Sequence, residues 1–251
     1  MTKNNLKYYS SLLIKKYRRE ENKFLVEGLK LISEAINSDY YCEILFASKE
    51  SINENRDFLT LIQKNKIKVE YLNESDLSKI SDTKTNQGLI AAFQFKENIS
   101  NPATDQKLIV ALENVSDPGN MGTIIRNCDW FGVKNIILSS ECAEIFNPKV
   151  VRSSAGSVFH IGAHEAKNFY DELEIRKRDG YKILCADLNG ENIYSISLTE
   201  KSVLVLANEA SGPTPQLVQL ADVLITIPRK GNAESLNVAS ASAVILSELT
   251  K

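Results

Sequence analysis

Short apolar runs that alternate with helical stretches are the feature that most constrains the fold from Lys107 onward. Continuous apolar runs are typical of strands covered on both faces, as in a parallel sheet. Helices between such strands supply the cover. We therefore predict an α/β fold with a parallel sheet. The apolar runs occupy residues 108–112, 135–138, 181–186, 203–207 and 223–227, and the helical stretches occupy residues 123–131, 168–178 and 236–249.

A polar segment at residues 96–106 separates this region from the chain before it. Its asparagines, serine and proline cluster without hydrophobic periodicity, which favours a linker. The preceding part alternates helices with strands, the latter at residues 42–47 and 67–72. We predict a small α/β domain at residues 1–98 and a larger domain at residues 107–251. The first helix pattern of apolar residues in the small domain runs through Phe24, Leu25, Leu29, Ile32 and Ile36.

The composition favours a folded protein of the cytoplasm. Hydrophobic residues make up 43% and charged residues 25% of the chain, close to the averages for globular domains. No apolar stretch approaches the roughly 18 residues of a bilayer span. Four scattered cysteines form no Cys-x-x-Cys pair, so we expect reduced thiols. His160 and His164 lack a matching carboxylate or cysteine, so no metal site is predicted.

Basic residues are concentrated at the N-terminus, although the net charge is −2. No acidic residue precedes Glu20, and three tyrosines lie among the basic side chains. Such a segment suits RNA, because it offers phosphate contacts and base stacking. It equally fits a solvated first helix, and the residues alone leave both interpretations open. The basic residues are Lys3, Lys7, Lys15, Lys16, Arg18 and Arg19.

The loop after the first strand of the larger domain carries candidate site residues. Asp117-Pro118-Gly119 is a turn sequence, because proline and glycine favour the backbone angles of a turn. Asn120 follows where a helix N-cap is expected, and Arg126 lies less than two helical turns later. Both would lie near the carboxyl ends of the strands, where α/β sheets bind ligands. Alone, this loop also fits a capped strand-to-helix turn.

Two further loops follow later strands. The second loop contains Asn208 and Glu209, and the third begins with Ile227-Pro228, where proline ends the strand ladder. Ser235 and Asn237 lie at the start of the last helical stretch. Helix capping is the commonest role for either residue there, so neither loop is specific by itself.

Together the three loops resemble the three ordered motifs of the SpoU, or TrmH, family of RNA 2′-O-methyltransferases. Residues 150–156 look like a stretch that these enzymes carry between the first two motifs. Residues 16–19 and 24–28 resemble the start of a small substrate-binding domain often fused before the catalytic domain. The matching motif residues are Asn120-x-Gly122-x-x-x-Arg126, Asn208-Glu209, and Ile227-Pro228 with Ser235-Leu236-Asn237.

The resemblance implies a trefoil-knotted α/β catalytic domain that binds S-adenosylmethionine (AdoMet) in the knot and works as a homodimer. It implies methylation of a ribose 2′-hydroxyl in a structured RNA, with rRNA favoured over tRNA because of the N-terminal domain. The last predicted helix is apolar on more than one face, which agrees with burial against a second subunit. Two alternatives stay open: an RNA base methyltransferase of the same fold, and a non-catalytic module that binds rRNA. A dehydrogenase is not favoured, because Gly-x-Gly-x-x-Gly is absent.

The same resemblance assigns roles to single residues. Arg126 would activate the 2′-hydroxyl, although arginine is not normally deprotonated in proteins. The predicted catalytic residues are Arg126, Asn120, Glu209, Ser235 and Asn237; the cofactor-binding residues are Ala207, Gly212, Ile227, Leu236 and Asn237; the RNA-binding residues are Lys15, Lys16, Arg18, Arg19 and Arg152.

Two positions depart from the family pattern. Ala207 stands where members usually have glycine, and Ala210 where they commonly have another. If either glycine serves at a positive φ, alanine costs about 1 kcal/mol. We therefore expect cofactor binding weaker than is typical of the family.

Overall fold

The computed structural model describes residues 1–53, 55–96, 106–196, 200–208 and 210–251. The chain forms two compact units. Unit 1 comprises Met1–Asn98 and Glu144–Phe159, and unit 2 comprises Ile99–Ala143 and His160–Lys251. Residues 97–105 of the predicted linker lie outside the described residues, and the domain boundaries stay a prediction.

Unit 1 contains a mixed sheet. Its strands are β1 (Lys23–Glu27), β2 (Cys42–Ala47), β3 (Val69–Tyr71) and β4 (Leu89–Gln94), in the order β1-β4-β2-β3. β4 pairs antiparallel with β1 and β2, and β3 pairs parallel with β2. The helices before unit 2 are α1 (Lys3–Ser11), α2 (Lys15–Glu21), α3 (Leu29–Asn37), α4 (Lys49–Asn53), α5 (Arg56–Lys64) and α6 (Glu74–Ile80).

The prediction of a helix through Phe24 and Leu25 is wrong at its start. Lys23–Glu27 form β1, whose three central side chains are all buried. Gly28, at φ +95°, then turns the chain, and the helix begins only at Leu29. Three consecutive buried side chains suit a strand covered on both faces, whereas a surface helix would expose one of them.

Unit 2 contains a parallel sheet of six strands within the described residues, in the order β10-β8-β9-β5-β6-β7. The predicted α/β fold is thereby confirmed. The short edge strand β7 was not predicted, because only one of its four side chains is buried. The strands are β5 (Leu108–Glu113), β6 (Asn135–Leu138), β7 (Gly162–Glu165), β8 (Lys182–Asn192), β9 (Ser202–Ala207) and β10 (Val223–Thr226).

The remaining helices complete both units. Helix α7 (Pro118–Trp130) follows β5, and α8 (Pro148–Ser153) lies in the segment that belongs to unit 1. Helices α9 (Phe169–Arg178), α10 (Pro215–Leu220) and α11 (Val238–Leu249) belong to unit 2, and short 3₁₀ turns occur at Ser157–Phe159 and Ile193–Ser195.

The two central strands set the position of the site. β5 and β9 are buried along their whole length and run side by side, with Glu113 opposite Ala207. Because they are parallel, the loops that follow them leave the same edge of the sheet. This arrangement brings the first and second motifs to neighbouring positions.

A close crossing joins β8 and β10. Leu224 pairs with Cys185, but the next residue, Ile225, pairs with Glu191. At this register jump a Cβ on Gly190 would lie 2.5 Å from the backbone nitrogen and carbonyl carbon of Ile225. Glycine is therefore required by the close approach of the two backbones. The trefoil knot stays a prediction of the family resemblance.

The four cysteines, Cys42, Cys128, Cys142 and Cys185, are free and buried. Burial raises the pKa of Cys42 and of Cys185 to about 12, so both thiols stay protonated at neutral pH. In the described ranges no group of three potential metal-ligating side chains is found. No helix among the described residues has the length and apolar character needed to cross a bilayer.

Candidate active site

The first motif forms the start of α7. The Asp117 side chain caps the helix, accepting a hydrogen bond from the amide of Asn120 at 2.8 Å, and Pro118 follows in the first turn. The prediction that Asn120 is the N-cap is therefore wrong. Proline favours the first helical position, which makes the residue before it the cap. Asn120 instead makes a tertiary contact with its side chain.

The third motif meets the first through two asparagines. Asn237 Nδ2 donates to Asn120 Oδ1 at 3.1 Å. Asn237 Oδ1 accepts from the amides of Ala239 at 3.0 Å and Ser240 at 3.3 Å, which caps α11. One side chain therefore fixes the start of α11 and ties it to the start of α7. Ser235 lies two residues before Asn237 and is exposed.

Changing Asn237 separates its capping role from its amide contact. Asn237→Ala is expected to lower the free energy of unfolding by about 1 kcal/mol, because the cap is lost. Asn237→Asp retains the capping oxygen but loses the hydrogen bond to Asn120, so it should be less destabilised than Asn237→Ala. Denaturant unfolding monitored by circular dichroism measures both values. Equal destabilisation by the two changes would contradict the capping role.

Arg126 lies on the exposed side of α7, about 9 Å along the helix axis from Asn120. It has no hydrogen-bond or ion-pair partner among the described residues. Trp130, one turn further on the same side, is 83% exposed. The neighbouring Asn127 points to α11 and donates to the carbonyl of Ala239 and to Ser242 Oγ. One side of α7 is thus anchored to α11, and the guanidinium of Arg126 on the exposed side is available for a ligand.

Asn208 of the second motif connects two strand-end loops. The backbone amide of Asn208 donates to the backbone carbonyl of Glu113 at 3.1 Å, and its side-chain Nδ2 donates to the backbone carbonyl of Asn114 at 2.9 Å. The amide of Gly212 in turn donates to the carbonyl of Asn208. Gly212 has φ +63°, a conformation that favours glycine. Glu209 lies outside the described residues, and its catalytic role stays a prediction.

Ala207 carries no backbone strain. It is the last residue of β9, is buried, and has an extended rather than a left-handed conformation. The penalty expected for alanine at a positive φ therefore does not arise at this position. The weaker cofactor binding that this departure suggested has no structural basis at Ala207.

Glu113 is a site residue that the sequence analysis missed. Its side chain is only 1% exposed and accepts hydrogen bonds from the hydroxyls of Tyr170 and Thr214, both at 2.7 Å, and from the Thr214 amide at 3.0 Å. Thr214 is the N-cap of α10, so Glu113 fixes that helix beside the second motif. Burial, with the Glu113 carboxylate nearby, raises the pKa of Tyr170. An acidic residue ending a fully apolar run was the available signal.

Apolar surface is exposed at the same edge of the sheet. Leu188, near the end of β8, is 67% exposed, and Leu236 of the third motif is 50% exposed. Ile227 is half-buried where β10 ends. Thr226 Oγ1 donates to the carbonyl of Leu188, which holds the two strand ends together. Exposed aliphatic side chains beyond the ends of parallel strands are suited to cover the faces of a flat apolar ligand group.

The residues predicted to bind RNA lie in unit 1 and differ in exposure. Lys15, Lys16 and Arg19 are exposed on α2. Lys16 lies over the ring of Tyr17, 5.7 Å from its centroid. Arg152 lies on α8, and its Nη2 pairs with Asp82 at 2.7 Å. The exposed residues of α2 provide the cationic and aromatic groups that RNA contact requires.

Arg18 has a different environment from its neighbours on α2. It is 1% exposed, forms an ion pair with Glu144, and donates through Nη1 to the carbonyl of Leu12 at 2.8 Å. A buried, paired guanidinium cannot contact RNA without losing its partner. Arg18 therefore anchors α2 and, unlike Lys15, Lys16 and Arg19, has no surface to offer to RNA.

Comparison with known proteins identifies both parts of the chain. The family model "SpoU rRNA Methylase family" matches residues 107–247, and the model "MRM3-like substrate binding domain" matches residues 3–91. The 23S rRNA (guanosine(2553)-2′-O)-methyltransferase RlmP of Bacillus subtilis is 33% identical over 247 residues, covering 97% of this chain and 95% of RlmP.

Two solved structures agree with this result. A TrmH-family RNA methyltransferase homologue from Porphyromonas gingivalis is 34% identical, with a TM-score of 0.86 over 99% of this chain and 97% of that one. An AdoMet-bound rRNA methyltransferase from Sinorhizobium meliloti is 30% identical, with a TM-score of 0.85 over 99% and 94% of the chains. The predicted resemblance is confirmed, and the chain belongs to the SpoU rRNA methylase family.

Proposed function

We propose that this enzyme transfers a methyl group from AdoMet to a ribose 2′-oxygen of rRNA. The observation that carries the proposal is the hydrogen bond between Asn120 and Asn237. This bond joins the third motif to the first motif. The first motif forms the start of α7, the helix that carries Arg126. The loop at Asn208 starts from the neighbouring strand, so all three motifs leave one edge of the sheet.

The residues at this edge fit AdoMet. When bound, AdoMet supplies an electrophilic methyl group on a sulfonium. Leu188, Leu236 and Ile227 provide apolar surface for the adenine, and the polypeptide at Ala207 and Gly212 provides polar backbone groups close by. Mostly apolar walls with a few placed polar groups are typical of cofactor sites. We assign cofactor binding to these loops.

Arg126 is assigned to the RNA side of the reaction. The 2′-oxygen gains the methyl group and loses its proton, so positioning and a proton acceptor are both required. A guanidinium has five donors and no acceptor. We therefore assign Arg126 to bind an RNA phosphate beside the reactive ribose, which holds the 2′-hydroxyl in position while its proton passes to solvent. Asn120, Glu209, Ser235 and Asn237 are assigned to shape the pocket around it.

The RNA is proposed to contact unit 1 through Lys15, Lys16, Arg19 and Arg152. The name of RlmP specifies guanosine 2553 of 23S rRNA, and the matched regions span nearly all of both chains. We propose a ribose of 23S rRNA as the target of this enzyme too, with the equivalent guanosine as the first candidate. With an rRNA substrate, the reaction takes place in the cytoplasm.

A homodimer is the proposed assembly. Helix α11 buries one side against its own unit, while Ala241, Ala243 and Val244 on its other sides are only partly buried. An apolar helix with such remaining surface suits a subunit interface. Light scattering on the purified protein tests this assembly, because a particle of monomer mass, 28.0 kDa, would contradict it.

Methylation of rRNA in vitro tests the function. We expect the purified chain to incorporate labelled methyl groups from AdoMet into 23S rRNA from cells that lack the gene. Mass spectrometry of the digested RNA should identify a single 2′-O-methylated nucleoside, and mapping should locate it. A methylated base would instead indicate a base methyltransferase. RNA binding without incorporation would indicate a non-catalytic module.

A further inference from the structure

Unit 1 contains a cavity of about 300 Å³. The residues that line it lie outside the three motifs of unit 2. It lies between the end of β1, the first turn of α3, the loop at residues 83–87 and the end of α8. Its volume lies at the lower end of the range for small-molecule sites, about 300–1,000 Å³. The cavity is therefore large enough for one nucleotide-sized group.

Hydrogen-bond donors line this cavity without partners. The ammonium of Lys30, the hydroxyl of Thr85 and the amide of Gln87 have no hydrogen-bond partner among the described residues. The guanidinium of Arg152 also lines the cavity, and its Nη2 pairs with Asp82 at 2.7 Å. Lys30, Thr85 and Gln87 are exposed, so water satisfies them in the free protein and a ligand can take the place of that water. Lys30 is cationic and has no ion-pair partner among the described residues, which favours a ligand that carries a negative group.

The carboxylate in the cavity has a structural role. Glu27 accepts hydrogen bonds from the hydroxyls of Ser81, at 2.9 Å, and of Thr83. The Ser81 hydroxyl also accepts from the amide of Thr83 at 3.0 Å. Glu27 thus holds the loop that carries Thr85 and Gln87 in position.

Gly28 makes room for the side chain of Gln87 at one wall of the cavity. Its φ is +95°, and a Cβ there would lie 2.8 Å from Gln87 Oε1. The side chain of Gln87 therefore lies across the glycine, in space that any other residue would fill. This arrangement places an amide, which both donates and accepts, in the same cavity as Lys30 and Arg152.

We propose that this cavity binds one nucleotide of the substrate RNA, with Lys30 and Arg152 on its phosphate and with Thr85 and Gln87 on its sugar or base. The inference rests on the proposed function, because it assumes an RNA substrate. An unstacked RNA nucleotide offers a phosphate, a 2′-hydroxyl and base edges, which match these donor types. A free nucleotide or inorganic phosphate has part of the same chemistry. The cavity is the specific element of RNA recognition in unit 1, beside the general charge of α2.

The variant Lys30→Ala combined with Gln87→Ala tests the inference. Both side chains are exposed, so the fold should be retained, and the circular dichroism spectrum and melting temperature check it. The Kd of the full chain for a 23S rRNA fragment, measured by fluorescence anisotropy, should rise about tenfold, because a charge-assisted and a neutral hydrogen bond are lost. The KM for RNA should rise likewise, with kcat and the Kd for AdoMet unchanged. The control is Lys64→Ala, an exposed lysine outside the cavity, which should stay within about twofold of wild type.

Free nucleotide and phosphate form the second arm of the experiment. Adenosine monophosphate and inorganic phosphate, added in calorimetry, should bind at least a hundredfold more weakly than the RNA fragment. Wild-type RNA affinity in the double variant would overturn the inference, as would tight binding of either small anion. Neither result depends on whether the wild-type chain methylates rRNA. Failure of the wild-type chain to methylate rRNA would instead contradict the proposed function.

Discussion

Arg126→Ala is expected to reduce the rate of rRNA methylation by about a hundredfold to a thousandfold, the usual effect of removing one preorganised donor from a reacting centre. The guanidinium is exposed and has no partner in the described residues, so its removal leaves no buried group without a partner. Stability should therefore stay within about 0.5 kcal/mol of wild type. Single-turnover measurement at saturating AdoMet and RNA gives the rate directly.

Two further variants make the result for Arg126 specific. Arg178→Ala removes an exposed arginine from the last turn of α9 in the same unit and should leave the rate unchanged. Arg126→Lys retains the charge without the planar, two-pronged donor and should recover only a small part of the activity. Full activity in Arg126→Ala would exclude the proposed role. If the rate fell only because AdoMet bound more weakly, Arg126 would be assigned to cofactor binding and not to the RNA.

Gly190→Ala is expected to destabilise unit 2 by about 3 kcal/mol or more, at the upper end of the range for overpacking. The new Cβ would lie 2.5 Å from two backbone atoms of Ile225 and 2.6 Å from the carbonyl carbon of Leu224. Backbone atoms inside a sheet move only together with both strands, so little relaxation is available. The melting temperature should fall by roughly 10 °C for a chain of this size.

Gly231→Ala is the matched control for this change. Gly231 is exposed and lies in the same unit, and no atom of the described residues lies within 4 Å of the position that a Cβ would take. Its melting temperature should therefore remain within about 2 °C of wild type. Wild-type stability in Gly190→Ala would show that β8 and β10 do not cross as closely as described.

Much of unit 2 was predictable because its signals are local. The apolar runs of β5 and β9 are buried along their whole length, and that continuity is what marks a parallel strand. The strand at β1 was mistaken for helix because the apolar spacing continues into α3 across Gly28. The edge strand β7 was missed because burial of a single side chain leaves no pattern.

The sequence by itself determined the family, the parallel sheet and the three motifs, because each depends on residue types at short spacings. Only the tertiary structure decided which side chains meet. Arg18 donates a hydrogen bond to Glu144, which lies 126 positions away, and Glu113 accepts one from Thr214, 101 positions away. Such contacts leave no periodicity in the chain, because they arise only when distant segments pack. The cavity that joins Lys30 and Gln87 to Arg152 has the same origin.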